Sequence, residues 1–392
     1  MYTLLLALIY LAFISLGLPD SLVGSAWPVM HEEIGVPLSY AGVITMIISG
    51  GTIVSSLLSD RLTRRFGAGL VTAVSVFLTA AALFGFSVSD SFLMLCIFAV
   101  PYGLGAGAVD AALNNYVALH FASRHMSWLH CFWGIGASVS PYIMSFCLTN
   151  GLGWHNGYRS VSVIQFVLTA VLFLSLPVWK RNQEENRDTV GRKAKGLRQV
   201  LGIRGVPFML AAFFGYCALE STAGLWASSY LVGERGISAE TAARFSSLFY
   251  WGITFGRFLC GFISDKVGSS RLIRIGILTA GLGTCLIMLP VSMQIIPLAG
   301  LVIVGFGCAP IYPSIIHSTP YNFGRENSQA VIGIQMAGAY VGSTFMPTLF
   351  GALESAAGIW LYPFYMALFA VLMLVMTERL NRIVDAKRSR EV

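Results

Sequence analysis

The sequence predicts an all-α membrane protein with twelve transmembrane helices in two pseudo-symmetric six-helix bundles. Three observations predict this fold: 56% of the 392 residues are hydrophobic, only 11% are charged, and the apolar residues fall into twelve long runs. Soluble proteins carry about 25% charged residues, so this composition excludes a water-soluble globule. It also excludes a disordered chain, which requires low hydrophobicity.

Each apolar run is close to the roughly 20 residues that a helix needs to cross a bilayer. The runs are continuous rather than alternating, which favours helices over the strands of a barrel. The first run is not preceded by a basic region and continues past Leu18, so we interpret it as a membrane helix and not a cleaved signal peptide. The predicted helices lie at about 3-29, 39-58, 67-88, 92-120, 127-149, 157-179, 206-232, 239-263, 271-290, 294-317, 328-353 and 358-378.

Basic residues predict the orientation in the membrane. Of the 25 Lys and Arg, 21 fall in one alternate set of loops and ends, namely 59-66, 120-126, 180-205, 264-275, 318-327 and 379-392. The positive-inside rule places that set, and both termini, in the cytoplasm of a cell-membrane protein. The net charge of +7 then reflects topology, and we expect no nucleic-acid partner.

The segment 180-205 is the only long polar interruption, and it lies near the middle of the chain. We predict an N-terminal bundle at 1-179, a cytoplasmic linker at 180-205, and a C-terminal bundle with a cytoplasmic tail at 206-392. The eight basic and three acidic residues between Lys180 and Arg204 fit a solvated linker, and they also suit contact with anionic lipid.

The two halves match each other in sequence. The matching pairs are Asp60 with Asp265, Asp20 with Glu220, and Pro141 with Pro347, at offsets of 205, 200 and 206 residues. Three matches in one order at nearly one offset indicate an internal duplication, which is typical of secondary transporters.

The run Leu58-Ser-Asp-Arg-Leu-Thr-Arg-Arg65 resembles the loop signature of the Major Facilitator Superfamily. Ser56 and Thr63 replace two glycines of that signature, and the second copy keeps both as Gly261 and Gly268. Acids and arginines at helix ends pair with one another and bond terminal carbonyls, so they suit a latch, although they also serve as topology anchors. The predicted gating residues are Asp60, Arg61, Arg64, Arg65, His130, Arg257, Asp265, Lys266 and Arg271.

Only three of the 18 acids, Asp20, Asp110 and Glu220, lie deep inside predicted helices. A carboxylate there costs about 2.5 kcal/mol or more, so each marks a functional site by default. All three lie on stripes of small residues, which face other helices or a cavity. Because burial disfavours the charged form of a carboxyl group, these acids suit proton coupling.

Two further motifs resemble the fucose permease type of sugar:proton symporter. They are Gly105-x-Gly-x-x-Asp110-x-x-x-Asn-Asn115 in the fourth helix and Gly305-Phe-Gly-x-x-x-x-Tyr312-Pro in the tenth. The resemblance implies that Asp20 and Asp110 carry proton coupling and sugar recognition. It departs at Asp110, where that type has Glu, and it says nothing about His130 or Glu220.

Polar and aromatic residues near the acids suit a sugar site, because hydroxyls need hydrogen-bond partners and the sugar ring needs a flat surface. The predicted substrate-binding residues are Asp20, Asp110, Asn114, Asn115, Glu220, Trp27, Trp133, Trp226, Tyr312 and Gln335. Two have alternatives: Trp27 suits an interfacial anchor, and Gln335 suits a link between helices. The gating residue Arg257 suits either an inward-reaching side chain or an ion pair with an acid of the other half.

The seven cysteines fall in apolar runs, and we interpret them as packing residues. No spacing of His, Cys and acids suggests a metal, and no phosphate loop suggests an ATP motor, so we expect no cofactor and a proton gradient as the driving force.

We therefore expect a monomeric secondary transporter that moves a neutral sugar or polyol together with protons by alternating access. The alternatives are a proton-coupled antiporter that exports a drug-like compound or metabolite and, from another class, a membrane receptor or scaffold. An enzyme is not expected, since no nucleophile lies beside a base and an orienting group.

Overall fold

The computed structural model describes residues 2–179 and 196–389, nearly all of them helical. The long helices are α1 Tyr2–Asp20, α2 Leu22–Ile34, α3 Ala41–Phe66, α4 Ala68–Ser87, α5 Phe92–His120, α6 Ser123–Thr149, α7 Gly153–Leu174, α9 Val206–Gly233, α10 Ala239–Val267, α11 Ser269–Met288, α12 Ile295–Cys308, α13 Ile311–Phe323, α14 Arg325–Ala357 and α15 Tyr362–Arg388. A short helix, α8, covers Leu197–Leu201.

Helical segments lie at all twelve predicted positions, and the described ranges contain no strand. Ten of the segments are long and apolar enough to cross a membrane. The other two are α10 and α14, which fill the predicted positions 239-263 and 328-353 and contain more polar residues. The all-α prediction is therefore confirmed.

Two predicted helices are each broken into two. The first, predicted as one helix at 3-29, divides at Ser21 into α1 and α2, and the tenth divides between Cys308 and Ile311 into α12 and α13. Both breaks lie beside a proline, Pro19 in the first and Pro310 in the second. Proline lacks the N–H that would continue the hydrogen-bond ladder, which explains both breaks.

Two helices run further than predicted. The acids and bases of the superfamily signature were predicted to follow the second and eighth helices, but Asp60 and Arg64 lie on the last turns of α3, and Asp265 lies on the last turn of α10. Each helix ends at a glycine with positive φ, Gly67 at 80° and Gly268 at 84°. Polar residues with ordinary helix propensity extend the helix until such a glycine ends it.

The chain forms two compact units. Unit 1 comprises Met1–Tyr116 and Leu129–Lys195, and unit 2 comprises Val117–Trp128 and Gly196–Val392. In unit 1, α4 packs along α7, and in unit 2, α9 packs against α14 and α15 while α11 packs along α12. Of the predicted linker, residues 180–195 lie outside the described residues.

Candidate functional site

Asp20 ends α1, and the break beside it has an identifiable cause. Pro19 cannot donate to the carbonyl of Ser15 four residues earlier. Gln165 on α7 replaces the missing donor, since its Nε2 donates to the Ser15 carbonyl oxygen at 2.6 Å. The Gln165 side chain is buried and accepts a hydrogen bond from Thr79 Oγ1 at 2.8 Å. Unit 1 therefore stabilises the helix break, and the last residue before the break is the acid Asp20.

The Asp20 carboxylate is exposed and has two neutral hydrogen-bond donors. Trp133 Nε1 on α6 donates to one oxygen at 2.9 Å, and the Tyr102 hydroxyl on α5 donates to the other at 3.2 Å. No Lys, Arg or His of the described chain lies within ion-pair distance of it. Among the predicted substrate residues, the structure thus brings together Asp20 and Trp133, and it adds Tyr102.

Asp110 lies in a separate, buried hydrogen-bond chain of unit 1. Asn114 Nδ2, one turn later on α5, donates to the Asp110 Oδ1 atom at 2.7 Å. His130 Nε2 on α6 donates to Asn114 Oδ1 at 3.1 Å, and Phe13 packs edge-on against the imidazole ring. Asp110, Asn114 and His130 are all at least 94% buried, and Asn115 is buried too. His130, predicted as a gating residue, is therefore joined to the acid through Asn114.

Glu220 lies in the middle of α9, although its sequence context matches that of Asp20. Leu219 stands where the first half has Pro19, so the α9 ladder keeps its N–H donor and the helix stays unbroken. Arg257 on α10 is 5% exposed, and its Nη2 lies 3.5 Å from Glu220 Oε1 and donates to the Tyr216 hydroxyl at 3.2 Å. Unit 2 therefore holds an acid with a buried cation beside it.

Aromatic rings lie beside the Glu220–Arg257 pair of unit 2. Tyr312, predicted to bind substrate, lies 4.7 Å from Phe213 and 5.8 Å from Tyr216 between ring centroids. Its hydroxyl donates to the Met336 sulfur at 3.3 Å. Tyr216 was missed by the sequence reasoning, and its position four residues before Glu220 on one helix face is the signal that would have found it.

Three predicted substrate residues make hydrogen bonds within their own unit. Trp27 is buried and donates to the Leu38 carbonyl at 2.7 Å, and Trp226 donates to the Pro347 carbonyl at 3.0 Å. Gln335 is buried and accepts a hydrogen bond from Thr319 at 3.1 Å, so it links α14 to α13. The Gln335 contact is the link between helices that was its alternative role, and substrate binding by these three residues stays a prediction.

Of the predicted gating residues at the signature, Asp60 and Arg64 pair with each other, and Asp265 pairs with Arg124. Arg64 Nε bonds Asp60 Oδ1 at 2.8 Å within α3. Asp265 accepts from the Arg124 backbone N–H at 3.2 Å and lies 3.6 Å from the Arg124 guanidinium, within unit 2. The remaining signature bases, Arg61, Arg65, Lys266 and Arg271, have exposed side chains. Arg124 was missed because it is the single base of its segment.

Two glycines of the stripes beside Asp20 and Asp110 serve helix packing. A Cβ on Gly17 would lie 2.9 Å from the Ala137 backbone nitrogen on α6, and one on Gly107 would lie 2.5 Å from Ser55 Oγ on α3. Both distances are shorter than side chains tolerate, so α1 and α5 approach their neighbours closely only because these residues are glycine. Within residues 2–179 and 196–389, no three His, Cys, Asp or Glu side chains cluster as a metal site requires.

Comparison with known proteins agrees with this arrangement. The family model described as Major Facilitator Superfamily matches residues 9–293 and 208–384. The glucose/mannose transporter GlcP of Bacillus subtilis is 24% identical over 78% of this chain and 77% of its own length. The 4-hydroxybenzoate transporter PcaK of Pseudomonas putida is 25% identical over 86% of this chain and 83% of its own length.

A similar fold has been solved before. A crystal structure of the E. coli fucose:proton symporter FucP superposes with a TM-score of 0.76 at 16% identity, covering 96% of this chain and 98% of that one. At that identity the likeness concerns the fold. The family model covers most of the sequence, and the two six-helix halves, the signature acids and the solved fold agree with it: the chain is a transporter that belongs to the Major Facilitator Superfamily.

Proposed function

We propose that this transporter is a proton-coupled symporter of a neutral sugar or polyol, working by alternating access in the cell membrane with both termini in the cytoplasm. The observation that carries the proposal is the Asp20 carboxylate, which is exposed at a helix break and has, among the residues that the structure describes, the neutral donors Trp133 and Tyr102 as its partners. GlcP and FucP, a sugar transporter and a sugar:proton symporter by name, support the solute class.

The chemistry of Asp20 suits this task. Protonation removes its charge without leaving a cation unpaired, because both of its partners are neutral. The two oxygens accept hydrogen bonds from sugar hydroxyls when ionised, and the indole ring of Trp133 offers a flat surface of the kind that packs on a sugar ring. Proton and solute therefore meet at one side chain, which is what coupling requires.

Asp110 would serve as a second, deeper proton site. It is buried and bonded by Asn114, so its ionised form depends on a fixed amide donor rather than on water. Burial disfavours the charged form of a carboxyl group, which suits a proton site. In this proposal Asp20 binds both the solute and a proton, and Asp110 binds a second proton.

The test is uptake into proteoliposomes under an imposed pH gradient. We expect a sugar or polyol from a panel of radiolabelled hexoses, pentoses and polyols to accumulate, together with acidification of the lumen that depends on that solute. Asp20→Asn and Asp110→Asn, singly and combined, should abolish the coupled flux, whereas Asp90→Asn, the same change at an exposed site outside the helices, should not.

Other results would identify other functions. Solute moving against the proton flow would indicate the antiporter. Accumulation of 4-hydroxybenzoate but of no sugar would replace the solute class. Solute-dependent proton flux that survives the double variant would overturn the role of the two acids, and absence of any flux would favour a receptor or scaffold.

A further inference from the structure

In the Glu220–Arg257 pair of unit 2, one buried N–H donor has no acceptor among the described residues. The two side chains are 22% and 6% exposed. The Arg257 guanidinium bonds Tyr216 and Glu220 through Nη2, and the Glu220 distance of 3.5 Å is at the limit of a hydrogen bond. The Arg257 Nε atom is fully buried and has no partner among the described residues. A guanidinium carries five N–H donors in a planar fork, so this one has room for another acceptor.

The net charge of the buried pair indicates what kind of acceptor would bind there. With Glu220 ionised, the pair is neutral overall. Protonation of Glu220 with nothing else bound would leave Arg257 as a lone buried cation, which is costly in a low-dielectric interior. If an anion binds Arg257 as Glu220 takes up a proton, the site stays neutral. A carboxylate matches the guanidinium fork in shape, accepting two parallel hydrogen bonds.

Among the described residues, the surroundings of the pair add no competing charge. The titratable groups that face the pair are Tyr216 on α9, Tyr250 and Cys260 on α10, Cys308 on α12 and Tyr312 on α13. Tyrosine and cysteine ionise above neutral pH, and burial further disfavours their charged forms. Charge balance at this site therefore involves Glu220, Arg257 and the incoming ligand.

The aromatic lining indicates the body of the ligand. Phe213, Tyr216 and Tyr312 pack together beside Arg257, with ring centroids 4.7 to 6.5 Å apart. Flat apolar groups pack well against such rings. We infer that unit 2 contains a binding site for a small carboxylate with a flat apolar body, in which Arg257 holds the carboxylate and Glu220 takes up one proton. This goes beyond the proposed function, which rests on Asp20 in unit 1 and a neutral solute.

The test measures binding and proton uptake without transport. Purified full-length protein in detergent is titrated at pH 7.5 with benzoate and phenylacetate and with their neutral isosteres benzamide and phenylacetamide. Calorimetry in phosphate and in Tris, whose ionisation enthalpies differ, reports protons taken up per ligand. We expect both acids to bind with about one proton each and the amides to bind at least about 30-fold more weakly, since a buried charged hydrogen bond is lost.

Variants assign the roles. Arg257→Gln should weaken benzoate binding at least about 30-fold, and Arg257→Lys should weaken it too because the planar fork is lost. Glu220→Gln, which mimics the protonated acid, should bind benzoate without proton uptake. Arg204→Gln, an exposed arginine before α9, is the matched control and should bind as wild type.

Folding and independence have their own checks. Because Arg257→Gln alone leaves Glu220 without its cation, Glu220→Gln combined with Arg257→Gln provides an uncharged pair that should fold and still not bind. Asp20→Asn should leave benzoate binding intact, so failure of the proposed function is distinguishable from failure of this site. Absence of acid binding to folded wild type, binding without proton uptake, or unchanged binding in folded Arg257 variants would each overturn the inference.

Discussion

The two halves of the chain carry equivalent acids in different surroundings. Asp20 and Glu220 share the pattern acid-Ser-x-x-Gly, but Asp20 follows Pro19 at a helix break, whereas Glu220 lies within a continuous helix. Asp20 has two neutral donors, and Glu220 has Arg257. The acid therefore occupies the same position in both halves. The side chains that face it differ, and they determine whether its protonation leaves a neighbouring cation without a counter-charge.

The largest expected effect is on transport by unit 1. Asp20→Asn should eliminate pH-driven accumulation of the solute, because the amide cannot take up a proton, while exchange of solute between equal concentrations continues at a measurable rate. Uptake and counterflow in the same proteoliposomes measure the two activities. Gradient-driven accumulation by Asp20→Asn at the wild-type level would show that this acid is not the coupling site.

A large stability effect is expected in unit 2. Glu220→Ala leaves the Arg257 guanidinium without its anion and should lower the free energy of unfolding by about 3 kcal/mol or more. Asp20→Ala removes two bonds from neutral donors at an exposed site and should cost only about 1 kcal/mol. Denaturant unfolding in detergent measures both. Equal losses would contradict the difference between the paired and the unpaired acid.

A smaller effect is expected at the break itself. Gln165→Leu removes the donor to the Ser15 carbonyl. It should lower the free energy of unfolding by about 2 kcal/mol, because the carbonyl oxygen is then buried without a hydrogen-bond partner. Pro19→Leu restores an N–H for that carbonyl, so the double variant should lose much less than the sum of the single changes, a coupling that a double-mutant cycle measures. Additive losses would show that Gln165 does not compensate for the proline.

The smallest effect concerns the glycines that end the repeated motif. A Cβ on Gly24 would meet nothing within 4 Å, whereas one on Gly224 would collide with the Tyr250 hydroxyl. Gly24→Ala should therefore be neutral or stabilise by up to about 1 kcal/mol, as alanine favours helix. Gly224→Ala should destabilise by about 1 kcal/mol. Thermal unfolding of the two variants compares them, and the same sign for both would be the contrary result.

Much of the fold was predictable because the apolar runs that indicate its helices are long. A continuous run of about twenty apolar residues favours a membrane-spanning helix, which satisfies its backbone hydrogen bonds within the segment, so the approximate positions of the helices follow from composition. The ends were harder to predict, as α3 shows: the helix continues through Asp60 and Arg64 to Gly67, beyond the apolar run. Hydropathy marks where a chain leaves the hydrocarbon, and the helix stops at a residue that can end it.

The candidate site was predictable only in part. Scarcity of charge drew attention to Asp20, Asp110 and Glu220, and the motif drew attention to Asn114 and Tyr312. Trp27, Trp226 and Gln335 were equally plausible from sequence, yet each bonds a backbone or side-chain group of its own unit. An aromatic or amide side chain bonds whichever partner its helix faces, and that partner is distant in sequence.

The sequence by itself determined the class of protein, the approximate positions of the helices, the internal duplication and the three acids within the apolar runs, because each depends on local composition or on a repeat. Tertiary structure decided the partner of each acid: Trp133 and Tyr102 for Asp20, Asn114 and through it His130 for Asp110, and Arg257 for Glu220. Except for Asn114, these partners come from other helices, 16 or more residues away in sequence. The proton chemistry of a carboxyl group is set by charge and hydrogen bonds within a few ångströms, so it is decided only when the helices pack.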